Sequence, residues 1–126
     1  MAITQPALSS VDLHCHSTAS DGLLTPAGLV AYASERGLSV IGLTDHDSTS
    51  GVAQAMAIGA EVGVTVIPGV ELSSEIDGLQ AHILGYFIDP QSESLQREFA
   101  WMNQTRRERI GRIVHNLNDA GYTISV

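Results

Sequence analysis

The feature that most constrains this chain is a rhythm: three short apolar runs, separated by two helix-like segments, each running into a polar cluster. Val11-Asp12-Leu13-His14-Cys15-His16 is short and alternating, as suits a strand that ends in a polar loop. Thr25-Pro26 supplies an N-cap and a proline at the first helical position. Leu29, Val30 and Ala33 give that helix an apolar face, and Gly37 a stop. Val40-Ile41-Gly42-Leu43 reads as a buried strand leading into Thr44-Asp45-His46-Asp47. An alanine-rich helix follows over roughly residues 51–62, ended near Gly63. Thr65-Val66-Ile67 is a β-branched run that Pro68-Gly69 is expected to halt. Strand, helix, strand, helix, strand at this spacing predicts parallel βαβ units and an α/β fold class.

The pattern then changes. Residues 70–75 and 79–88 are β-like runs separated by Asp77-Gly78, a strong hairpin pair. Beyond Asp89-Pro90, Leu95, Phe99, Met102, Ile110, Ile113, Val114 and Leu117 fit a helical stripe that ends at Gly121. Gly111 leaves one helix or two open.

Composition narrows the function classes. A chain that is 44% hydrophobic and 16% charged buries a core, so a disordered tail is excluded. The formal charge of −8 argues against a nucleic-acid-coating module, although divalent cations can locally reverse the sign of an acidic pocket. One cysteine excludes an intramolecular disulfide and points to a reducing compartment. With no signal-peptide pattern and no apolar run of membrane-spanning length, the expected location is cytoplasmic, away from membranes. The charge is uneven. Residues 1–96 hold eleven acids and one base, Arg36; residues 97–126 hold five arginines and three acids. The plain reading of that arginine-bearing helix is a solvated amphipathic surface. The sharper reading is that Arg106, Arg107, Arg109 and Arg112 grip a phosphate over an acidic metal site.

The chemistry sits at the strand ends. Alternation puts Asp12, His14 and His16 on one face of the first strand and Cys15 on the other. Two imidazoles two residues apart on a stiff strand can bind one cation, but the pair alone is weak evidence. Asp21, by itself, reads as turn chemistry in a Ser/Thr-rich loop. Asp45-His46-Asp47 follows a buried strand, where α/β proteins open into a ligand-binding crevice; helix capping is the alternative for Asp47. Glu71 lies in an apolar setting that suits a paired or metal-bound carboxylate. His82, alone in an apolar strand, reads as a core residue. His115, in the late helix without carboxylate neighbours, is not nominated. Imidazoles interleaved with carboxylates and no second cysteine favour Mn, Fe or Zn over a structural thiolate zinc site. Ligands spread over successive strands suggest more than one metal, with Glu71 as a bridging carboxylate. The chemistry implied is hydrolysis by metal-activated water, with no serine or cysteine nucleophile.

Taken in order, Asp12-Leu13-His14-Cys15-His16-Ser17, Ser20-Asp21-Gly22, Thr44-Asp45-His46-Asp47, Gly69-Val70-Glu71-Leu72-Ser73 and His82 closely resemble the PHP (polymerase and histidinol phosphatase) family. The resemblance covers roughly residues 11–89 and is nearest the stand-alone bacterial phosphoesterases, some of which cleave nucleoside 3′,5′-bisphosphates or trim RNA from its 5′ end. It implies the N-terminal half of a distorted (β/α)7 TIM-like barrel and a centre of two or three divalent metals, Mn first, with Fe, Zn or Mg as alternatives. By position, His14, His16 and Glu71 would hold one metal, Glu71 and His82 a second, and Asp21 and His46 a third. Asp12 and Asp45 match positions read as partners that orient histidines. Residues 1–10 are then a lead-in, 11–91 the N-terminal half of the PHP domain, and 92–126 the start of a helical insertion. The implied substrate is a phosphorylated small molecule or short nucleic acid.

The sequence also departs from the family pattern, with no His-Pro and no Asp-x-His downstream of His82. A whole barrel needs roughly 250 residues, about twice this length. The expectation is therefore a piece of a longer protein, with each metal site short of ligands and little activity of its own. Two alternatives remain beside phosphoester hydrolysis: an amidohydrolase acting on a C–N bond, which also opens with HxH, and a non-catalytic PHP-like structural module.

Overall fold

A computed structural model describes residues 10–125, which divide into two compact units between Pro90 and Gln91. In the first unit the order is β1 (Ser10–Cys15), α1 (Pro26–Glu35), β2 (Leu38–Leu43), α2 (Val52–Val62), β3 (Thr65–Ile76) and β4 (Leu79–Tyr86). The strands form one sheet in the order β1-β2-β3-β4, with β1, β2 and the first part of β3 parallel and β4 antiparallel to the rest of β3. The lead-in, apart from Ser10, lies outside the described residues.

Local chemistry accounts for most boundaries. Thr25 caps α1 by accepting the Gly28 amide at 3.1 Å, with Pro26 at the first helical position. Gly63 ends α2 in the left-handed conformation at φ 78°, which a β-carbon would disfavour. Asp77 (φ 53°) and Gly78 (φ 80°) both take positive φ, as a two-residue hairpin of matching twist requires. The core forms where the two helices meet the strands between them. Val30 and Ala33 of α1 and Val52 and Ala55 of α2 pack with Ile41, Leu43, Val64 and Val66.

One expected boundary is wrong. Pro68-Gly69 does not halt the third strand; β3 runs straight through it for 12 residues. The missing proline amide falls where pairing changes hands, because Pro68 is the last partner of β2 and Gly69 the first partner of β4. Gly69 is needed there: a Cβ would lie 2.8 Å from Thr44 Cγ2 and 3.0 Å from two carbonyl oxygens.

The sheet is curled. Four strands at about 4.8 Å spacing would hold the outer pair roughly 14 Å apart if flat. Yet the Tyr86 hydroxyl of β4 donates to the Leu13 carbonyl of β1 at 2.9 Å. Register shifts in β1, between Asp12 and Cys15, accompany the bend, and its backbone comes so close to Gly42 that a Cβ there would meet the Leu13 carbonyl at 2.5 Å.

The second unit holds α3 (Glu93–Asp119), a single helix of 27 residues. Gly111 does not divide it. After the helix Gly121 turns at φ 93°, and the Asn118 side chain bonds both the amide and the carbonyl of Ile124.

Candidate metal centre

Each polar cluster sits where a strand ends or changes partner. β1 ends at Cys15, directly between His14 and His16, and Asp21 follows on the next loop. His46 lies beyond the end of β2 and forms an isolated parallel bridge with Glu71 of β3. In that bridge the Glu71 amide donates to the Asp45 carbonyl at 3.2 Å, and the Asp47 amide to the Glu71 carbonyl at 3.0 Å. His82 comes from β4.

The six side chains converge. Glu71 is 4% exposed and is the hub. Its Oε2 lies 2.9 Å from His14 Nε2, 2.9 Å from His16 Nε2 and 3.6 Å from His46 Nε2; its Oε1 lies 2.7 Å from His82 Nδ1. Asp21 Oδ1 is 2.7 Å from His16 Nδ1, and Asp21 Oδ2 is 3.7 Å from His46 Nε2. The four imidazoles form a file, with ring centroids 5.0 Å apart from His14 to His16, 4.7 Å from His16 to His46 and 4.9 Å from His46 to His82.

Among the described residues, three sets bring their ligand atoms within 4.8 Å of one another: His14, His16 and Glu71; His16, Asp21 and His46; and His46, Glu71 and His82. These sets are wider than the grouping the resemblance implies. His16 also joins Asp21 and His46, and His46 also joins Glu71 and His82, because both rings lie mid-file.

The donor chemistry fits divalent cations. A neutral imidazole has one N–H, yet both ring nitrogens of His16 face carboxylate oxygens. A cation removes that conflict by accepting a lone pair. His46 turns Nε2 towards the Asp21 and Glu71 carboxylates, while its buried Nδ1 has no hydrogen-bond partner. The carboxylates are held ready. Burial alone would raise Glu71, but hydrogen bonds from His14 and His82, with the charges of His46 and His14, bring it below its ordinary value. The hydrogen bond from His16 lowers Asp21; slight desolvation opposes it, and the charges of His16 and His46 add to it. Cys15 is different. Burial, then the charge of Asp12 and a hydrogen bond with it, push the thiol up to about 12, so it stays protonated at neutral pH.

Among the described residues, neither Asp12 nor Asp45 hydrogen-bonds an imidazole directly. Asp12 Oδ1 accepts the backbone amide of His14 at 3.2 Å, a bond within its own strand. Asp45, fully enclosed, accepts the Ser17 amide at 2.7 Å, the Ser17 hydroxyl at 2.7 Å and the Ser20 hydroxyl at 2.6 Å. Its three donors are on the Asp21 loop, because the side chain points back beneath that loop. Asp47 is likewise no helix cap. Its carboxylate accepts the Ser73 amide at 2.8 Å and the Ser73 hydroxyl at 2.7 Å, and the N-cap of α2 is Gly51. The two carboxylates flanking His46 thus clasp the chain on either side, one towards β1 and one towards β3. Ser17, Ser20 and Ser73 were legible only as letters of a motif, since nothing in their spacing says which carboxylate they serve.

Arg106, Arg107, Arg109 and Arg112 are exposed on α3 in the second unit. His115, also on α3, does have a carboxylate neighbour: its Nε2 lies 3.4 Å from Asp119 Oδ2, one helical turn away in an exposed pair. Among the described residues, no helix is long and apolar enough to cross a membrane.

Fold and site together define an α/β protein whose strand ends carry a histidine–carboxylate cluster that could hold divalent metal. The chain belongs to the PHP domain family, whose model matches residues 12–124. It is 39% identical over 110 residues to a 5′-3′ exoribonuclease of Haemophilus influenzae, covering 87% of this chain and 40% of that protein. It is 37% identical over 114 residues to a 3′,5′-nucleoside bisphosphate phosphatase of Chromobacterium violaceum, covering 90% and 40% respectively. The solved structure described as a metal-dependent phosphoesterase of Bifidobacterium adolescentis superposes with a TM-score of 0.80 at 32% identity, over 91% of this chain and 40% of that one. The chain therefore spans about 40% of the length of the relatives it matches. Its α/β half-barrel is the N-terminal portion of their TIM-like fold.

Proposed function

We propose that this chain carries most of the metal centre of a phosphoesterase that hydrolyses nucleotides or short oligonucleotides. The observation that carries the reading is the overlap of three ligand sets through Glu71, His16 and His46. The names of the Haemophilus and Chromobacterium relatives support a phosphorylated nucleotide or RNA substrate. Divalent cations, when bound, would supply Lewis-acid polarisation of phosphate oxygens and activation of water.

The residues divide the work. Glu71, buried and ionised, would hold two metals through its two oxygens while His14 and His16 close one side and His82 the other. His46 and Asp21 with His16 would complete the third position, whose outer wall is the exposed Asp21 carboxylate. Cys15, protonated and turned to the core, takes no part. Manganese is the proposed metal, with iron, zinc or magnesium as alternatives, since imidazole and carboxylate donors without thiolate suit these ions. Phosphate recognition by Arg106, Arg107 and Arg109 is proposed on the match between guanidinium forks and phosphate oxygens. A cytoplasmic location is proposed on the single cysteine.

The test is phosphate release from a nucleoside 3′,5′-bisphosphate by the whole gene product, before and after chelation and after Mn2+ is restored. Release that stops on chelation and returns with Mn2+ is the expected result. Release that survives complete metal removal, or turnover of cyclic amides in place of phosphate esters, would contradict it.

A further inference from the structure

The ligands are not presented alike. His14 and Glu71 lie within strands and His16 directly follows one, whereas Asp21 is carried on a loop and is largely exposed. An aspartate on a loop needs something to hold it, and the loop is held from below by one buried carboxylate. Asp45 gathers the Ser17 amide, the Ser17 hydroxyl and the Ser20 hydroxyl, all within 2.7 Å. The Ser17 hydroxyl in turn accepts the Ala19 amide at 3.1 Å, and the Ser17 carbonyl accepts the amides of Ser20 at 3.1 Å and Gly22 at 2.9 Å. Gly22 packs so tightly that a Cβ would sit 2.3 Å from the His16 carbonyl oxygen.

Ser20 is the link between the clasp and the ligand. Its hydroxyl is 2.6 Å from Asp45 Oδ1 and 3.3 Å from Asp21 Oδ1, so one proton serves two carboxylates. The shorter bond fixes the hydroxyl on Asp45, which fixes Asp21 beside it. Asp21 then reaches forward to His16 at 2.7 Å. We infer that Ser20 and Asp45 are positioning residues for one metal position only, the one formed by His16, Asp21 and His46, and that they set its affinity apart from the two positions organised by Glu71. This rests on the metal-centre reading above and deepens it, by making the Asp21 position separately tunable.

The experiment is a Mn2+ titration of the whole gene product, with free Mn2+ read by its electron paramagnetic resonance signal. Ser20→Ala should weaken one class of sites by about tenfold or more, as loss of a ligand-orienting partner typically does. The remaining binding should match that of the native protein even though losing a donor to buried Asp45 lowers the thermal midpoint, and Ser20→Thr, which keeps the hydroxyl, should restore the lost class. Asp45→Asn should weaken the same class. A Ser20→Ala isotherm that superimposes on the native one, or that weakens all classes equally, would overturn the inference while leaving the metal centre standing. A native whole protein that takes up no Mn2+ would instead overturn the metal-centre reading itself.

Discussion

Glu71 illustrates how one side chain can be costly to bury and still fixed in place. A carboxylate 4% exposed is stable as an anion only if its oxygens are answered, and here four imidazoles answer them. Replacing it by glutamine keeps the shape but removes the charge that two ligand sets share. Glu71→Gln should therefore weaken Mn2+ binding by at least about 100-fold, the upper end of what even outer-shell changes cost. Isothermal titration would show it; binding within a fewfold of native would mean Glu71 is not the hub. Cys15 supports an opposite prediction. With its thiol pushed up to about 12, it should react with iodoacetamide at pH 8 much more slowly in the native chain than after unfolding in urea. Fast native labelling would show a thiolate that the fold does not favour.

At the scale of elements, two helical glycines make opposite predictions. Gly111 in α3 has open space where a Cβ would lie, so Gly111→Ala should stabilise by up to about 1 kcal/mol, the ordinary helix-propensity gain. Gly59 in α2 would place a Cβ 2.5 Å from the Val64 carbonyl and 2.9 Å from Val66 Cγ2. There the same substitution should destabilise despite better propensity, because backbone cannot move aside in a packed core. Urea melts of the two variants give the signs directly. On the surface of α3, alanine at Arg106, Arg107 and Arg109 together should raise the KM for a phosphate ester with kcat little changed; an unchanged KM would leave these residues as solvated surface.

The same scale shows what the sequence could tell. Thr25-Pro26, Gly63 and Asp77-Gly78 were legible because each imposes a backbone conformation that few other residues prefer. Pro68 misled because a proline stops a ladder only where its amide is needed, and the handover from β2 to β4 cannot be seen in one dimension. Asp21 and His82 read alone as turn and core residues, and His14 with His16 as a weak pair, so these four entered with the ordered motif set. His46 and Glu71 stood out because ionisable side chains where buried strands end are hard to explain as packing. The direction of Asp45 and Asp47 did not, since each is settled by which neighbouring backbone amide lies within reach.

For the whole molecule, the charge of −8 acquires a location and a purpose. Acids outnumber bases only before residue 97, where Asp21 and Glu71 face a file of imidazoles across a curled sheet. Metal bound to the folded state alone adds stability by mass action, about 2.7 kcal/mol at a concentration 100 times the dissociation constant. The thermal midpoint should accordingly rise with added Mn2+ and fall with a chelator, and a midpoint indifferent to both would count against the centre. The most direct measurement is anomalous diffraction from a crystal of the protein grown with Mn2+. Peaks are expected within direct coordination distance of ligand atoms on His14, His16, Asp21, His46, Glu71 and His82. Well-ordered side chains with no anomalous peak among them would contradict it.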